Sequence, residues 1–179
     1  KELYELGVSK VCMLTGDNER TAAAVAKKLD LTEYRAEVLP EDKLAFIKAE
    51  HAAGRKVIMV GDGVNDAPAL SESDVGIAVN EGAAIAREIA DITISSDDLR
   101  RIVLLRRISM QLMERIDNNY KFIVAFNAGL IGLGVAGILK PSSSALFHNG
   151  STILSGLYST TPLLSESEED IKELDYEEA

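Results

Sequence analysis

Directly after the apolar run Lys56–Val60, the stretch VGDGVNDAPAL (Val60–Leu70) gathers two aspartates, an asparagine and two glycines. A carboxylate just past a buried strand, flanked by glycine, can approach a phosphate-bound Mg²⁺ closely. Mg²⁺ favours octahedral oxygen ligation by one or two carboxylates plus substrate phosphate. Asp62 and Asp66 suit that role. Asn65 offers an amide to a phosphoryl oxygen, and Gly61 and Gly63 open backbone conformations closed to other residues. Upstream, Thr15 and the backbone of Gly16 and Asp17 can donate to the same phosphate, and Lys43 can neutralise its developing charge. Phosphoryl transfer is mainly positioning and charge stabilisation, so these groups form a coherent set. Asp-Gly and Asn-Asp are also ordinary turn pairs. What favours a site is the ordered series TGD, PEDK and GDGVND, each at an element boundary.

The elements that must carry these groups follow from the pattern. Residues 10–14, 34–39, 56–60, 75–79 and 91–95 read as short apolar strands. Residues 19–29 and 83–90 read as helices, and so does 43–53, opened by Pro40, Glu41 and Asp42 and closed by Gly54. Strands alternating with helices predict an α/β fold with a mainly parallel sheet covered on both faces. Ligands of such sheets sit at the carboxyl ends of the strands, where both polar loops fall.

The character changes after Asp97. Residues 98–118 predict a linker helix with a basic stripe of Arg100, Arg101, Arg106, Arg107 and Arg115. Residues 122–139 are free of charge, Lys140-Pro141 breaks the run, and 141–164 is again uncharged though rich in Ser, Thr and Gly. A membrane span needs about 20 mostly apolar residues. Gly129, Gly132, Gly134 and Gly137 suit close helix packing, and the arginines precede the first run as on a cytoplasmic side. The expectation is a transmembrane hairpin of 119–140 and 142–164 with both termini cytosolic. An acidic, disordered tail follows at 165–179, whose eight acids and one lysine hold most of the net charge of −10. The body is thus not charged for nucleic-acid binding. With Cys12 the only cysteine, an internal disulfide and a cysteine-based zinc site are both excluded. Cys12 is expected to pack in its strand, and His51 to lie on the surface near a helix end.

MLTGDN, PEDK and VGDGVNDAPAL resemble the P-type ATPases, a branch of the haloacid-dehalogenase-like superfamily. The resemblance implies a Rossmann-like sheet forming the C-terminal part of a phosphorylation domain over residues 1–97. It implies Asp62 and Asp66 as Mg²⁺ ligands, with Thr15, Gly16, Asp17, Lys43 and Asn65 around an aspartyl phosphate. It also implies a linker to the last two membrane helices, and ATP-driven cation movement across a bilayer.

The family's DKTGT phosphorylation motif and its TGE loop do not occur in this chain. Neither Asp62 nor Asp66 can be the nucleophile, because a metal-held carboxylate beside phosphate is poorly placed to attack it. The chain is therefore expected to be inactive alone and to work with an N-terminal remainder that supplies nucleophile and ATP site. The alternatives are a split-pump subunit, a free-standing membrane-anchored protein that binds phosphate and Mg²⁺ without catalysis, and a stand-alone soluble phosphatase, for which no Asp-x-Asp nucleophile is present. Only two helices after the domain resembles the heavy-metal branch. Phe126-Asn127 stands where copper pumps tend to show Tyr-Asn, and HNGST (148–152) resembles the HEG motif of cobalt-type pumps with Asn149 replacing the acid. Asn127, His148, Asn149, Ser151 and Thr152 are the candidate contacts of a transported transition-metal ion, neutral imidazole suiting Zn, Co, Ni and Cu(II). The same residues can instead hydrogen-bond neighbouring helices.

Overall fold

The computed structural model describes residues 1–163 except 32, 63–64, 80–87 and 95–97. Gly63, most of the predicted 83–90 helix and the acidic tail lie outside the described residues. The chain divides into two units, Lys1–Val103 and Leu104–Ala179.

The first unit is α/β. A short helix α1 (Glu2–Glu5) precedes β1 (Cys12–Leu14), α2 (Glu19–Lys28), β2 (Glu33–Arg35), α3 (Pro40–Ala52), β3 (Ile58–Gly61), α4 (Ala67–Glu72), β4 (Val75–Val79) and β5 (Ile92–Ile94). All pairings are parallel, as the alternation predicts, with β1 on β2 and β3–β4–β5 in that order. Among the described residues the strands form two sheets rather than one, so β1, β2, β3 and β5 each keep one edge unpaired. Strand β4 matches its predicted run, β1 and β5 fall inside theirs, β2 covers only the start of its run, and β3 is shifted towards the acidic loop to end at Gly61. Helix α4 was not predicted: Pro68 and the turn residues ahead of it mask a single helical turn and a half whose Ala69 and Leu70 are fully buried. Ile47, Met59, Ala69 and Leu70 form one core, with Phe46, Val57 and Ile89 packed against it. Asn18 caps α2, its Oδ1 accepting from Thr21 N–H at 3.0 Å. The Asp42 carboxylate accepts from Leu39 N–H at 3.1 Å at the entry to α3.

The second unit is a helical hairpin. Its first helix, α5, runs unbroken from Arg100 to Val135, and α6 runs from Pro141 to Ser159. The predicted linker and the start of the predicted first span lie on one continuous helix. It stops at Val135, because Gly137 adopts φ +73°, a left-handed C-terminal conformation that ends helices. The charge-free part of α5 is thereby cut to roughly 14 residues, on the order of 21 Å. Helix α6 is 19 residues long but interrupted by Ser, Thr, Asn, His and Gly. No helix among the described residues is long and apolar enough to cross a membrane. Two antiparallel helices are nonetheless present, and they expose Phe122, Val124, Ile131, Val135, Leu146 and Ile153.

Candidate functional site

Strand β3 delivers Gly61 and Asp62 to its carboxyl end, and Asp66 follows as the residue before α4. The Asp66 carbonyl accepts Leu70 N–H at 2.8 Å, which anchors the loop to the first turn of that helix. Asp66 is one of three buried polar residues described in the chain. Its Oδ1 lies 2.6 Å from Lys43 Nζ, with side-chain exposures of 10% and 16%. Lys43 comes from the first turn of α3, so the pair ties the PEDK helix to the acidic loop. A Cβ on Gly61 would lie 2.5 Å from Asp66 Oδ2 and 3.0 Å from Asp66 Cβ. Glycine is therefore needed here for close approach of the carboxylate, rather than for a turn.

The TGD loop leaves β1 in a similar way. Thr15 N–H donates to Arg35 O at 3.0 Å, continuing the pairing of β1 with β2. Thr15 Oγ1 accepts from Asp17 N–H at 3.1 Å and donates to Asp17 Oδ2 at 3.0 Å, closing a local turn. Two further bonds tie this turn to the entry of α3: Glu37 N–H to Asp17 O at 2.8 Å and Val38 N–H to Thr15 O at 3.0 Å. Glu37 adopts φ +54° to make that connection. The segment that leads to Lys43 is thus held by the TGD loop at one end and by Asp66 at the other. Asp62 and Asn65 are exposed at the mouth of β3.

The donor set fits Mg²⁺. Asp62 and Asp66 offer hard oxygens at the end of one strand, and the missing Cβ of Gly61 leaves the cradle in which Asp66 sits. Among the described residues no cluster of three or more His, Cys, Asp or Glu could hold a metal. Two carboxylates suit an ion that takes its remaining ligands from phosphate and water.

Two further charge networks of this unit lie away from the acidic loop. Glu50, buried in α3, is ion-paired to Arg55 and to Lys10 Nζ at 2.9 Å, while Lys10 also reaches Glu33 at 2.8 Å. The hydrogen bonds from Arg55 and Lys10 hold the Glu50 carboxyl down to about 2. Asp74 also falls to about 2, through Lys56 at 2.7 Å, Val57 N–H at 2.9 Å and His51 at 2.9 Å. These groups stand at the amino ends of β3 and β4, opposite Asp62. His51 lies at the surface one residue before the end of α3, as expected, and there its Nε2 also meets Asp74 Oδ2 at 2.9 Å. No local motif or hydrophobic periodicity announces either network. Burial raises the Cys12 thiol, in keeping with strand packing.

In the hairpin, Asn127 Oδ1 lies 2.7 Å from His148 Nδ1. Ser151 and Thr152 hydroxyls donate to the His148 carbonyl at 2.8 and 3.1 Å, so both back-bond to their own helix. Asn149 is exposed. At the other end Arg115 donates to the carbonyls of Ser159, Thr161 and Pro162 and stacks over Tyr158 at 5.3 Å.

Comparison with known proteins agrees with this architecture. A family model described as haloacid dehalogenase-like hydrolase matches residues 1–74. The chain is 44% identical over 153 residues to the manganese-exporting P-type ATPase of Mycobacterium leprae, covering 85% of this chain and 21% of that protein. It is 46% identical over 146 residues to copper-transporting ATPase 2 of Rhizobium meliloti, covering 82% and 17% respectively. A crystal structure of a zinc-transporting PIB-type ATPase in its E2.Pi state superposes with TM-score 0.80 at 34% identity, over 88% of this chain and 26% of that one. The chain spans about a fifth of the length of these curated relatives. With its motifs at the ends of parallel strands and this degree of identity to manganese, zinc and copper pumps, the chain belongs to the heavy-metal branch of the P-type ATPases, within the haloacid-dehalogenase-like superfamily.

Proposed function

We propose that the chain serves an ATP-hydrolysing pump for a transition-metal cation, supplying its Mg²⁺ and phosphate loop and a membrane-associated hairpin. The observation that carries this reading is the buried Lys43–Asp66 pair at the carboxyl end of β3, 2.6 Å apart. Asp62 and Asp66 would hold Mg²⁺, which when bound neutralises charge on the phosphate. Lys43, leaving Asp66, neutralises the charge that develops on the transferred phosphoryl group. Thr15 Oγ1, the Gly16 and Asp17 N–H groups and the Asn65 amide orient its oxygens. The phosphorylated aspartate and the ATP site come from the remainder of the pump, and the unpaired edges of β1 and β3 are where a strand of that remainder would pair. The hairpin joins the membrane domain and stays below the threshold for a lone span, because its Asn127–His148 line of polar groups faces other helices rather than lipid. The catalytic unit then lies on the cytosolic side.

The test is a chimera. The matching fifth of the Mycobacterium leprae pump is replaced by residues 1–163 of this chain. Metal-stimulated ATP hydrolysis is expected, with loss of turnover in Lys43→Ala and Asp66→Ala. A chimera that inserts and binds ATP but shows no metal-stimulated hydrolysis would refute the reading. Covalent capture of radiolabelled phosphate from ATP by the isolated chain would refute the need for an outside nucleophile.

A further inference from the structure

We propose that the acidic tail of this chain docks on the basic stripe of α5, where Arg106 and Arg107 hold the carboxylates of residues 166–170. The two helices of the hairpin run antiparallel, since Asn127 meets His148 and Asn119 meets Ser159. Arg115 donates to the carbonyls of Ser159, Thr161 and Pro162 and stacks over Tyr158, so the end of α6 is pinned to α5 at that level. The described chain ends at Leu163, just past these contacts, and α6 points from there toward the start of α5. Arg107, Gln111 and Arg115 recur every four residues and share one helix face, with Arg106 beside them. Arg107 lies roughly two turns before Arg115, a rise of about 12 Å. An extended chain covers about 3.3–3.6 Å per residue, so Glu166, Glu168, Glu169 and Asp170 all come within reach of that level.

Charge favours the same contact. Between Leu104 and Lys121 the helix carries Arg106, Arg107, Arg115 and Lys121 against Glu114 and Asp117, and Asp117 is ion-paired to Lys121. The described partners of Arg115 are three carbonyls and a phenol ring, none of them charged. The tail at 165–179 brings eight acids and one lysine. Arg106 and Arg107 are half-buried and interact with other groups, and five N–H donors let a guanidinium take a further carboxylate. An anionic membrane surface would suit the same arginines. The tail is favoured because it is tethered beside them, and a short flexible tether sets an effective concentration on the order of mM.

The test uses the whole ¹⁵N-labelled chain in neutral detergent micelles. Cys12→Ser together with Ile171→Cys places a single nitroxide label among the tail acids without altering charge. At low salt the label should broaden the amides of residues 104–111. The broadening should vanish at about 1 M salt, where the screening length is roughly 3 Å. It should also vanish in Arg106→Gln/Arg107→Gln. Glu168→Gln, Glu169→Gln and Asp170→Asn, made together in the tail and leaving the helix untouched, should abolish it as well. No broadening at low salt, or broadening that survives either set of substitutions, would overturn the proposal. Loss of the contact in phosphatidylserine-rich nanodiscs would overturn it too, because headgroups would then hold the arginines in place of the tail. The contact needs neither Mg²⁺ nor phosphate, so its failure leaves the pump reading standing, and the chimera tests that reading separately.

Discussion

Lys43 Nζ and Asp66 Oδ1 sit 2.6 Å apart in a nearly buried position, and one oxygen of the same carboxylate rests on the bare backbone of Gly61. Breaking one side of such a pair leaves a buried charge uncompensated, at a cost of about 3–5 kcal/mol. Lys43→Met should lower the denaturant midpoint of the first unit strongly, and Asp66→Asn less, since an amide still accepts from the lysine. Removing the competing ammonium should also tighten Mg²⁺ binding to the chain. Calorimetric titration of Lys43→Met with Mg²⁺ checks this: weaker binding than wild type would mean that Asp66 does not serve the ion.

Gly61 and Gly76 should each resist a single methyl group, for different reasons. At Gly61 the methyl collides with Asp66, whose side chain can swing away, so Gly61→Ala should fold and lose Mg²⁺ affinity. At Gly76 it would lie 2.8 Å from the carbonyl oxygen of Leu70, a backbone atom that cannot yield cheaply. Gly76→Ala should cost about 1–3 kcal/mol by overpacking. Thermal melts of the two variants, beside their Mg²⁺ titrations, separate the effects.

Acid should destabilise the first unit through two carboxylates. Glu50 and Asp74 both titrate at about 2 when folded, below their ordinary 4.5 and 3.8. A depressed folded value means that the unfolded chain binds protons first as pH falls. Their stabilisation is complete above about pH 5 and drains away between about 4.5 and 2. Glu50→Gln should flatten the melting temperature against pH over that window, at the expense of a lower plateau near neutrality. A curve as steep as wild type would show that the Lys10–Glu50–Arg55 network is not the source.

Much of this site was legible because its chemistry is local in sequence. TGD and GDGVND each stand immediately after an apolar strand, so their side chains had to appear at carboxyl ends, and Thr15, Asp62 and Asp66 do. The pairing of Lys43 with Asp66 was implied only as a shared pocket, because 23 residues separate them and no periodicity encodes the contact. Helix α4 stayed hidden for a related reason: Pro68 and turn-forming residues gave local signals for a loop, while burial of Leu70 under β4 supplied the helix. The hairpin's ends were less legible: Gly137 stops the first helix at Val135, short of the predicted 140, and the charged and uncharged stretches share one helix.

That helix makes a last prediction about how the hairpin closes. Arg115 gathers the carbonyls of Ser159, Thr161 and Pro162, and Asn119 Nδ2 donates to Ser159 Oγ at 2.8 Å. The carbonyls of Leu157 and Tyr158 accept locally from Thr160 and Thr161, whereas the Ser159 carbonyl and those of Thr161 and Pro162 just past the helix are reached by the guanidinium from across the hairpin. Arg115→Ala should therefore fray the end of α6, by about 1 kcal/mol because the site is exposed. Amide exchange in micelles should quicken around residues 157–161 while remaining slow near Leu130, which is buried. Arg115→Lys should rescue only part of the protection, since an ammonium cannot present the flat fork that reaches three carbonyls. If exchange instead rises evenly along both helices, Arg115 holds the whole hairpin together, and the Asn127–His148 bond would open with it.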